Sequence, residues 1–558
     1  MTSPCNIAAS LPRLAQERPH QIAIRCPSGR RADGSAEYGL TLSYAELDRR
    51  SDAIAAGLAK VGIGRGVRTA LMVRPSPELF LLMFALFKSG AVPVLIDPGI
   101  DKRALKQCLG ESAPAGFIGI PLAQLARVLL GWGRGHVRHI VTVGRRFPFG
   151  GHSLAEIEAL GAGAGPQLVD TAPDEVAAIL FTSGSTGVPK GVVYRHRHFV
   201  AQIDLLGSAF GIEPGGVDLP TFPPFALFDP ALGLTSVIPD MDPTRPAKAD
   251  PKKLITAIQE FGVGQMFGSP ALLDTLSRYG EQHGVTLPTL KRVTSAGAPV
   301  PFAVIKRMQA MLPADAQIWT PYGATECLPV AVIEGRELAE TRAATEAGAG
   351  TCVGRPVAAN TVRIIAITDE VIADWSEAQE LAPGAIGEIT VAGPSATDAY
   401  FKREAATQLA KIRERLPEGS ERVVHRMGDL GWFDAEGRLW FCGRKSQRVE
   451  TVSGPLYTEQ VEPVFNTHPD VRRTALVGVG SLGAQTPLLC VELKPGTTRE
   501  RSAIEAELLN LGGQHAHTHG IQRVLFHAGF PVDIRHNAKI GREALARWAA
   551  DILGRGKA

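Results

Sequence analysis

Apolar positions along the first half of the chain switch repeatedly between helical and extended spacing. Leu47, Ile54, Ala55 and Leu58 fall on one face of a helix running from Leu42 to Val61 and entered through Ser43. Pro75 to Phe87, Lys102 to Leu109 and Leu122 to Leu130 read as further helices. Between them, Ile22 to Arg25, Val67 to Val73 and Ala91 to Ile96 have the short, branched-aliphatic character of strands. Near the start, Ile7, Leu11 and Leu14 share a face, but Pro12 argues against an unbroken helix. Strands alternating with helices predict a parallel α/β sheet.

The alternation continues through Phe199 to Phe210 and Pro251 to Phe261 as helices, with Gln265 to Phe267 and Leu290 to Ala296 as strands. The pattern then changes. Arg363 to Ile367 and Ile386 to Val391 are short β segments between Gly and Pro turns, and Met427 to Gly443 reads as a hairpin turning through Asp434 to Gly437, with Asp429 ahead of it. From Arg444 onward come shorter elements, with helices near Arg501 to Leu511 and Arg542 to Leu553, as in a small α+β domain of about a hundred residues. The expected division is 1–443 and 444–558.

Composition narrows the partners. The 558 residues are 45% hydrophobic and 21% charged with a net charge of +3, which suits a soluble globular protein and leaves no basic footprint for nucleic acid. Seven scattered cysteines (Cys5, Cys26, Cys108, Cys327, Cys352, Cys442, Cys490) signal neither a disulfide framework nor a zinc site, so a reducing cytoplasm is expected. The longest apolar run, Leu79 to Phe87, is far short of a membrane span; no transmembrane segment is expected, and peripheral binding stays open.

The densest chemistry lies in Ile179 to His196, ILFTSGSTGVPKGVVYRH. Thr182, Ser183, Ser185 and Thr186 offer hydroxyls, Gly184, Gly187 and Gly191 permit close backbone approach to an anion, and Lys190 adds positive charge. This reads as strand, phosphate cradle, strand, although a surface turn with a solvated lysine has the same composition; the Walker spacing is absent. Thr221 to Gly233 is too rich in Pro for regular structure and too apolar for an exposed loop, so it lines an apolar pocket or connects core elements. In WTPYGATEC, Tyr322 could stack on a base, Thr325 bind phosphate and Glu326 supply the hard oxygen that Mg2+ prefers, or the whole could be a glycine turn. Asp429 could accept from two ribose hydroxyls or cap a turn, and Lys539 could enter a site or stay solvated.

Taken in order, TSGSTGVPKG, AGAP, YGATE, GDLG, GR and Lys539 resemble the adenylate-forming superfamily of acyl-CoA synthetases, luciferases and peptide-synthetase adenylation domains, collinearly over nearly the whole chain. Within it, Leu86 to Leu109, Thr221 to Ala247 and Gly529 to Leu545 are similar to the olefin β-lactone synthetases of long-chain olefin biosynthesis. The resemblance implies a large N-terminal domain of α/β subdomains plus a distorted β-barrel module, and a small mobile C-terminal α+β lid. It implies that Thr182, Ser183, Gly184, Ser185, Thr186, Gly187 and Lys190 hold the ATP phosphates, with Gly297, Ala298, Pro299, Tyr322 and Gly323 bordering adenine. Thr325 and Glu326 would handle phosphate and Mg2+, Asp429 and Arg444 the ribose, and Lys539 the junction of carboxylate and α-phosphate.

Phe225, Phe228 and Asp229 are the expected substrate-pocket residues. The family's acidic residue after Gly-Arg is missing here, which leaves Lys445 or Ser446 as hinge, and Ala538 replaces the glycine that usually precedes the terminal lysine. The implied reaction activates a long-chain 2-alkyl-3-hydroxyalkanoic acid with ATP and closes its 3-hydroxyl onto the acyl-adenylate, giving a cis-β-lactone, AMP and pyrophosphate. The alternatives are an AMP-forming long-chain acyl-CoA ligase and a non-catalytic nucleotide-binding scaffold. His196, His198 and His536 are candidates for the base that takes the hydroxyl proton, on pKa alone. An assembly with other olefin-pathway enzymes is a further expectation from the resemblance.

Overall fold

The computed structural model describes residues 5–97, 99–146, 150–182, 189–532 and 540–555. Ser43 does enter a helix, Tyr44–Lys60, and does so through a capping box: its hydroxyl accepts from the Glu46 N–H while the Glu46 carboxylate accepts from the Ser43 N–H. The helix starts later than its periodicity suggests because Leu40–Ser43 is drawn into an antiparallel ladder with Ile22–Cys26. Leu47, Ile54, Ala55 and Leu58 form its buried face. Pro12 is accommodated in the first turn of Ser10–Glu17, where no intrahelical donor is required.

Two sheets organise the N-terminal part. The first has the order Lys190–Arg195, Val176–Thr182, Val92–Ile96, Arg68–Met72, Gly116–Gly119, His139–Thr142, His152–Ser153, parallel except for its first pair. The parallel centre of the second is formed by Thr235–Val237, Val217–Pro220, Gln265–Phe267, Arg292–Thr294 and Gln317–Ala324. In that register Leu219, Met266, Val293 and Ile318 make one row, all within the hydrophobic core. Strand alternation therefore sends Asp218, Gln265, Arg292 and Gln317 to the opposite face.

The β module differs from expectation. Among the described residues no closed barrel forms; Thr361–Ile365, Gly387–Ala392, Glu421–Phe433, Leu439–Arg444 and Thr351–Pro356 continue the second sheet through Cys327–Glu334. The junction is tight, since a Cβ on Gly354 (φ +79°) would lie 2.0 Å from the Val332 carbonyl oxygen. The module thus extends the sheet at its edge. Asp429 also lies inside the hairpin's first strand, directly opposite Arg444.

Beyond Arg444, Val471–Val479, Thr486–Leu493 and Val524–Phe526 make a three-stranded sheet packed by Thr458–Phe465, Arg501–Gly513 and Arg542–Arg555 around its own apolar cores. Polar bonds tie this part to the large sheet. Thr351 donates to Glu459 at 2.8 Å, and Lys445 Nζ reaches Glu388 at 3.1 Å and the Thr368 carbonyl at 2.8 Å. Among the described residues no helix is long and apolar enough to cross a membrane.

Glu388 is buried against Arg426, which also donates to the carbonyls of Thr368, Glu370 and Leu409. Removing the guanidinium leaves the buried Glu388 carboxylate with Lys445 as its cation and takes a donor from the Glu370 and Leu409 carbonyls. Arg426→Ala is expected to lose about 3 kcal/mol or more in urea unfolding; an unshifted transition would mean that the pair contributes nothing net.

Candidate active site

The two sheets meet across one continuous cleft of about 3100 Å³ whose lining includes Thr182, Lys190, Tyr322, Glu326, Asp429 and Arg444. Lys190 opens the strand Lys190–Arg195 and stands opposite Thr182. A Cβ on Gly191 would lie 2.9 Å from the Phe181 ring, so glycine lets the two strands close at this point. The expected cradle residues Ser183, Gly184, Ser185, Thr186 and Gly187, together with Lys539 and His536, lie outside the described residues.

Glu326 is brought to Lys190 by a second hairpin. Ala324 pairs with Cys327, which leaves Thr325 and Glu326 as the two-residue turn, and a Cβ on Gly323 would lie 2.7 Å from the Cys327 carbonyl oxygen. Three tethers hold that turn: the Tyr194 hydroxyl donates to the Thr325 carbonyl, the Thr397 N–H donates to the Glu326 carbonyl at 2.8 Å, and the Tyr400 hydroxyl donates to Glu326 Oε1 at 2.6 Å. Tyr400 is itself bridged to Val192, and Lys190 Nζ sits 5.1 Å from its ring centroid. One aromatic ring therefore joins the lysine to the carboxylate. Nothing in its sequence neighbourhood marked Tyr400, because the carboxylate that its hydroxyl holds is 74 residues away.

Tyr322, Asp429 and Arg444 form the other half. The Tyr322 hydroxyl donates to Asp429 Oδ2 at 2.7 Å, and Arg444 Nε lies 3.1 Å from Oδ1, close enough for ion pairing but outside hydrogen-bonding geometry. Burial raises the Asp429 pKa against the opposing pull of Arg444, and burial also pushes the Tyr322 phenol up. Among the described residues Oδ1 keeps a buried acceptor position without a donor. Gly297, at φ +97°, turns the chain after Arg292–Thr294, and Gly297, Ala298 and Pro299 line the same cleft. Lys445 and Ser446 line it at the start of the C-terminal part.

The segment Thr221 to Gly233 does both things its composition allowed: Ala226 and Ala231 join the hydrophobic core while other side chains line the cleft. It folds into a short helix, Pro223–Ala226, and Phe225 and Phe228 line the cleft, with Phe225 4.6 Å from the Phe267 ring and Phe228 6.3 Å from Phe199, centroid to centroid. Asp229 lines it too, but as one member of a buried pair: its carboxylate accepts from Ser236 Oγ at 2.6 Å beside Asp218. Burial pushes Asp218 up to about 7, and burial with the neighbouring charge raises Asp229.

Two basic residues were not anticipated. Lys411 is buried, donates to the Thr397 carbonyl and, at 3.3 Å, to its hydroxyl, and is pushed down to about 8 by burial. It thereby holds the residue that holds Glu326. His425 lines the cleft, donates Nδ1–H to the Ala410 carbonyl at 3.2 Å, and is kept neutral by burial and by Lys411. Its Nε2 is then an acceptor. By contrast His196, pushed down to about 4 by burial, and His198, whose Nδ1 accepts from the Arg195 N–H, are not among the described residues lining the cleft.

The family model for AMP-binding enzyme matches residues 11–401. The chain belongs to the AMP-binding enzyme family. It is 71% identical over 551 residues to the olefin beta-lactone synthetase of Xanthomonas campestris pv. campestris, covering 99% of this chain and 98% of that relative, and 69% identical, with 99% coverage of both, to that of Stenotrophomonas maltophilia. Among solved structures it resembles ATP-bound MatB from Rhodopseudomonas palustris at a TM-score of 0.76 and 21% identity, covering 98% of this chain and 99% of that one. That likeness shows a shared fold over nearly the full length of both chains.

The Asp218–Asp229 pair makes stability pH-dependent with a definite sign. Raised folded-state pKa values mean that the native state holds protons which the unfolded chain releases above about pH 4, so stability falls as pH rises from there toward the folded value of about 7. Asp229→Asn, which can still accept from Ser236, is expected to flatten that fall and gain about 2 kcal/mol at pH 8. Urea unfolding of both proteins across pH 5 to 8 checks it; parallel curves would refute the pairing.

Proposed function

We propose that the protein is an ATP-dependent olefin β-lactone synthetase acting on long-chain 2-alkyl-3-hydroxyalkanoic acids. The observation that carries this reading is the 71% identity to an olefin beta-lactone synthetase across 99% of the chain. The reading requires two steps. A substrate carboxylate oxygen attacks the α-phosphorus of ATP and pyrophosphate leaves; the 3-hydroxyl oxygen then attacks the acyl carbon, the acyl–AMP bond breaks, and the four-membered ring closes. Strain in that ring is met by activating the acyl group as a mixed anhydride.

A carboxylate is a poor nucleophile toward a polyanion, so the first step depends on charge neutralisation and alignment. In this reading Lys190 meets the phosphates with Thr182, Ser183, Gly184, Ser185, Thr186 and Gly187, and Lys539 meets the carboxylate. Asp429 and Arg444 take the ribose, where the unpartnered Asp429 Oδ1 supplies an acceptor for a hydroxyl. Tyr322, Gly323, Gly297, Ala298 and Pro299 border the base, and Thr325 lies toward the phosphates. Phe225 and Phe228 flank an alkyl chain.

Magnesium fits as an ion shared with substrate and not as one in a protein cage. Among the described residues no group of three His, Cys, Asp or Glu could hold a metal, whereas Glu326 offers one oxygen beside the one taken by Tyr400. When bound, the ion would supply positive charge against the phosphates.

The C-terminal part, from the large sheet's end to residue 558, acts as the lid, turning about Lys445 and Ser446. Where family members carry an acid after Gly-Arg, Lys445 here reaches acids on the other side, Glu388 at 3.1 Å and Asp369 at 3.5 Å.

Purified protein given ATP, Mg2+ and a 2-alkyl-3-hydroxy acid without any thiol is expected to release β-lactone and AMP, detected by mass spectrometry; product formed only with CoA would replace the reading by acyl-CoA ligation. Lys539→Ala should lower pyrophosphate exchange by about a hundredfold or more while ATP still binds.

Among the described residues His425 is the histidine that lines the cleft, and its Nε2 is the acceptor suited to receive the 3-hydroxyl proton. His425→Gln is expected to slow lactone release by about a hundredfold yet leave substrate-dependent pyrophosphate exchange near wild type. Equal losses in both assays would remove it from the second step.

A further inference from the structure

Helix Pro121–Leu130 is built inside out for a surface helix. Gln124 is buried and donates to the Val141 carbonyl at 3.0 Å, whereas Leu122, Leu125, Val128 and Leu129 face solvent, with Leu122 63% and Leu129 72% exposed. Single exposed apolar side chains are ordinary, but with Leu130, 39% exposed, this ten-residue helix has five, and Leu122, Leu125, Val128 and Leu129 form a contiguous apolar face. The helix also borders the cleft that contains Lys190, through Ala123 and Ala126 and, at the rim, Leu122 and Leu130.

Charge around this helix is lopsided. Residues 98–146 carry eight Lys and Arg against two acids, a surplus of six in a chain whose net charge is +3. Both acids are occupied: Asp101 caps helix Lys102–Ser112, and Glu111 accepts from Arg403 at 2.6 Å. Lys102, Arg103, Lys106, Arg134 and Arg138 are exposed and form no ion pair among the described residues.

At the helix C-terminus the chain leaves a hollow of about 230 Å³ lined by Lys106, Arg134, His136 and three glycines. A Cβ on Gly131 (φ +65°) would lie 3.9 Å from Lys106 Nζ and 4.0 Å from Arg134 Nε, so two cations converge on a residue that leaves room between them. That is the charge and space for a phosphodiester. It opens beside the leucine face.

We propose that this region docks the protein onto an anionic phospholipid surface. The outer face of Pro121–Leu130 lies in the interface plane at the boundary of headgroups and acyl chains, with the Lys106–Arg134–His136 hollow receiving a headgroup phosphate. Ten residues are about half a membrane span, so the helix lies on the bilayer and does not cross it. A protein partner is the poorer fit, since the core of a protein interface is depleted in charge while a surplus of six positive charges surrounds this face. Entry of a long-chain acid past Ala126 and Leu130 into the cleft rests on the lactone-synthetase reading; the docking surface does not.

The test uses the full chain and sedimentation with vesicles. Phosphatidylglycerol–phosphatidylethanolamine vesicles are expected to bind at least about tenfold more tightly than phosphatidylcholine ones, and binding should fade as salt rises from about 0.05 M to about 0.5 M. Leu125→Glu with Leu129→Glu, and separately Lys106→Glu with Arg134→Glu, should each weaken binding about tenfold or more without moving the thermal midpoint.

Equal affinity for both lipids, or variants that bind like wild type, would overturn the proposal. So would a dimer seen by analytical ultracentrifugation without lipid that the leucine variant dissolves, because a second copy would then cover the face. Lactone formation from detergent-dispersed acid, assayed alongside, reports on the catalytic reading alone.

Discussion

A carboxylate buried in a sheet must be balanced there, and Asp429 is balanced across its own ladder. Antiparallel pairing sets it opposite Arg444, and the Tyr322 hydroxyl completes the group from a strand more than a hundred residues earlier. The balance is incomplete in a useful way. Arg444 neutralises charge without hydrogen-bonding Oδ1, so the site keeps an acceptor that costs stability until a donor arrives. Arg444 is also the last residue of the large sheet, so this pair sits where the C-terminal part begins.

The same logic governs Glu326 and Lys190. Lys190 opens one strand and Glu326 lies in the turn between two others; Tyr400 connects them, with its hydroxyl on the carboxylate and its ring near the ammonium. Behind them Lys411 is an ammonium removed from water, which is costly, and the oxygens of Thr397 offset part of that cost. What the arrangement yields is position. Thr397 is fixed from one side by Lys411 and fixes the Glu326 backbone on the other, so the carboxylate is oriented before any phosphate is present.

Local signals were legible where a local cause decided the outcome. The Ser43 cap, the buried face of Tyr44–Lys60 and the bounds of Pro251–Phe261 follow from spacing and capping chemistry that lie within a few residues. Motif glycines marked places where backbones approach, as Gly191 and Gly323 do. Tyr400 was not legible because its bridge to Val192 joins distant segments, and Lys411 and His425 were not because they face each other across a hairpin that the pattern had not assigned. The β module failed as a barrel for a similar reason: its segments were correctly extended, but which edge they would join depended on Cys327–Glu334.

Hydrophobic periodicity specifies a stripe and says nothing of what covers it. Leu122 to Leu130 reads as a helix from spacing alone, and a helix forms there, yet the leucines that suggested it point outward while Gln124 and two alanines point in. The inward side had to be narrow, because Phe117 and Trp132 already occupy the core beneath it. With the inner space filled, bulk on the other face gains nothing from folding and exposes apolar area to water at roughly 25 cal/mol per Å². A face that lowers solubility and adds no stability persists only if something else desolvates it, and the unpaired cations around it state the sign of that surface.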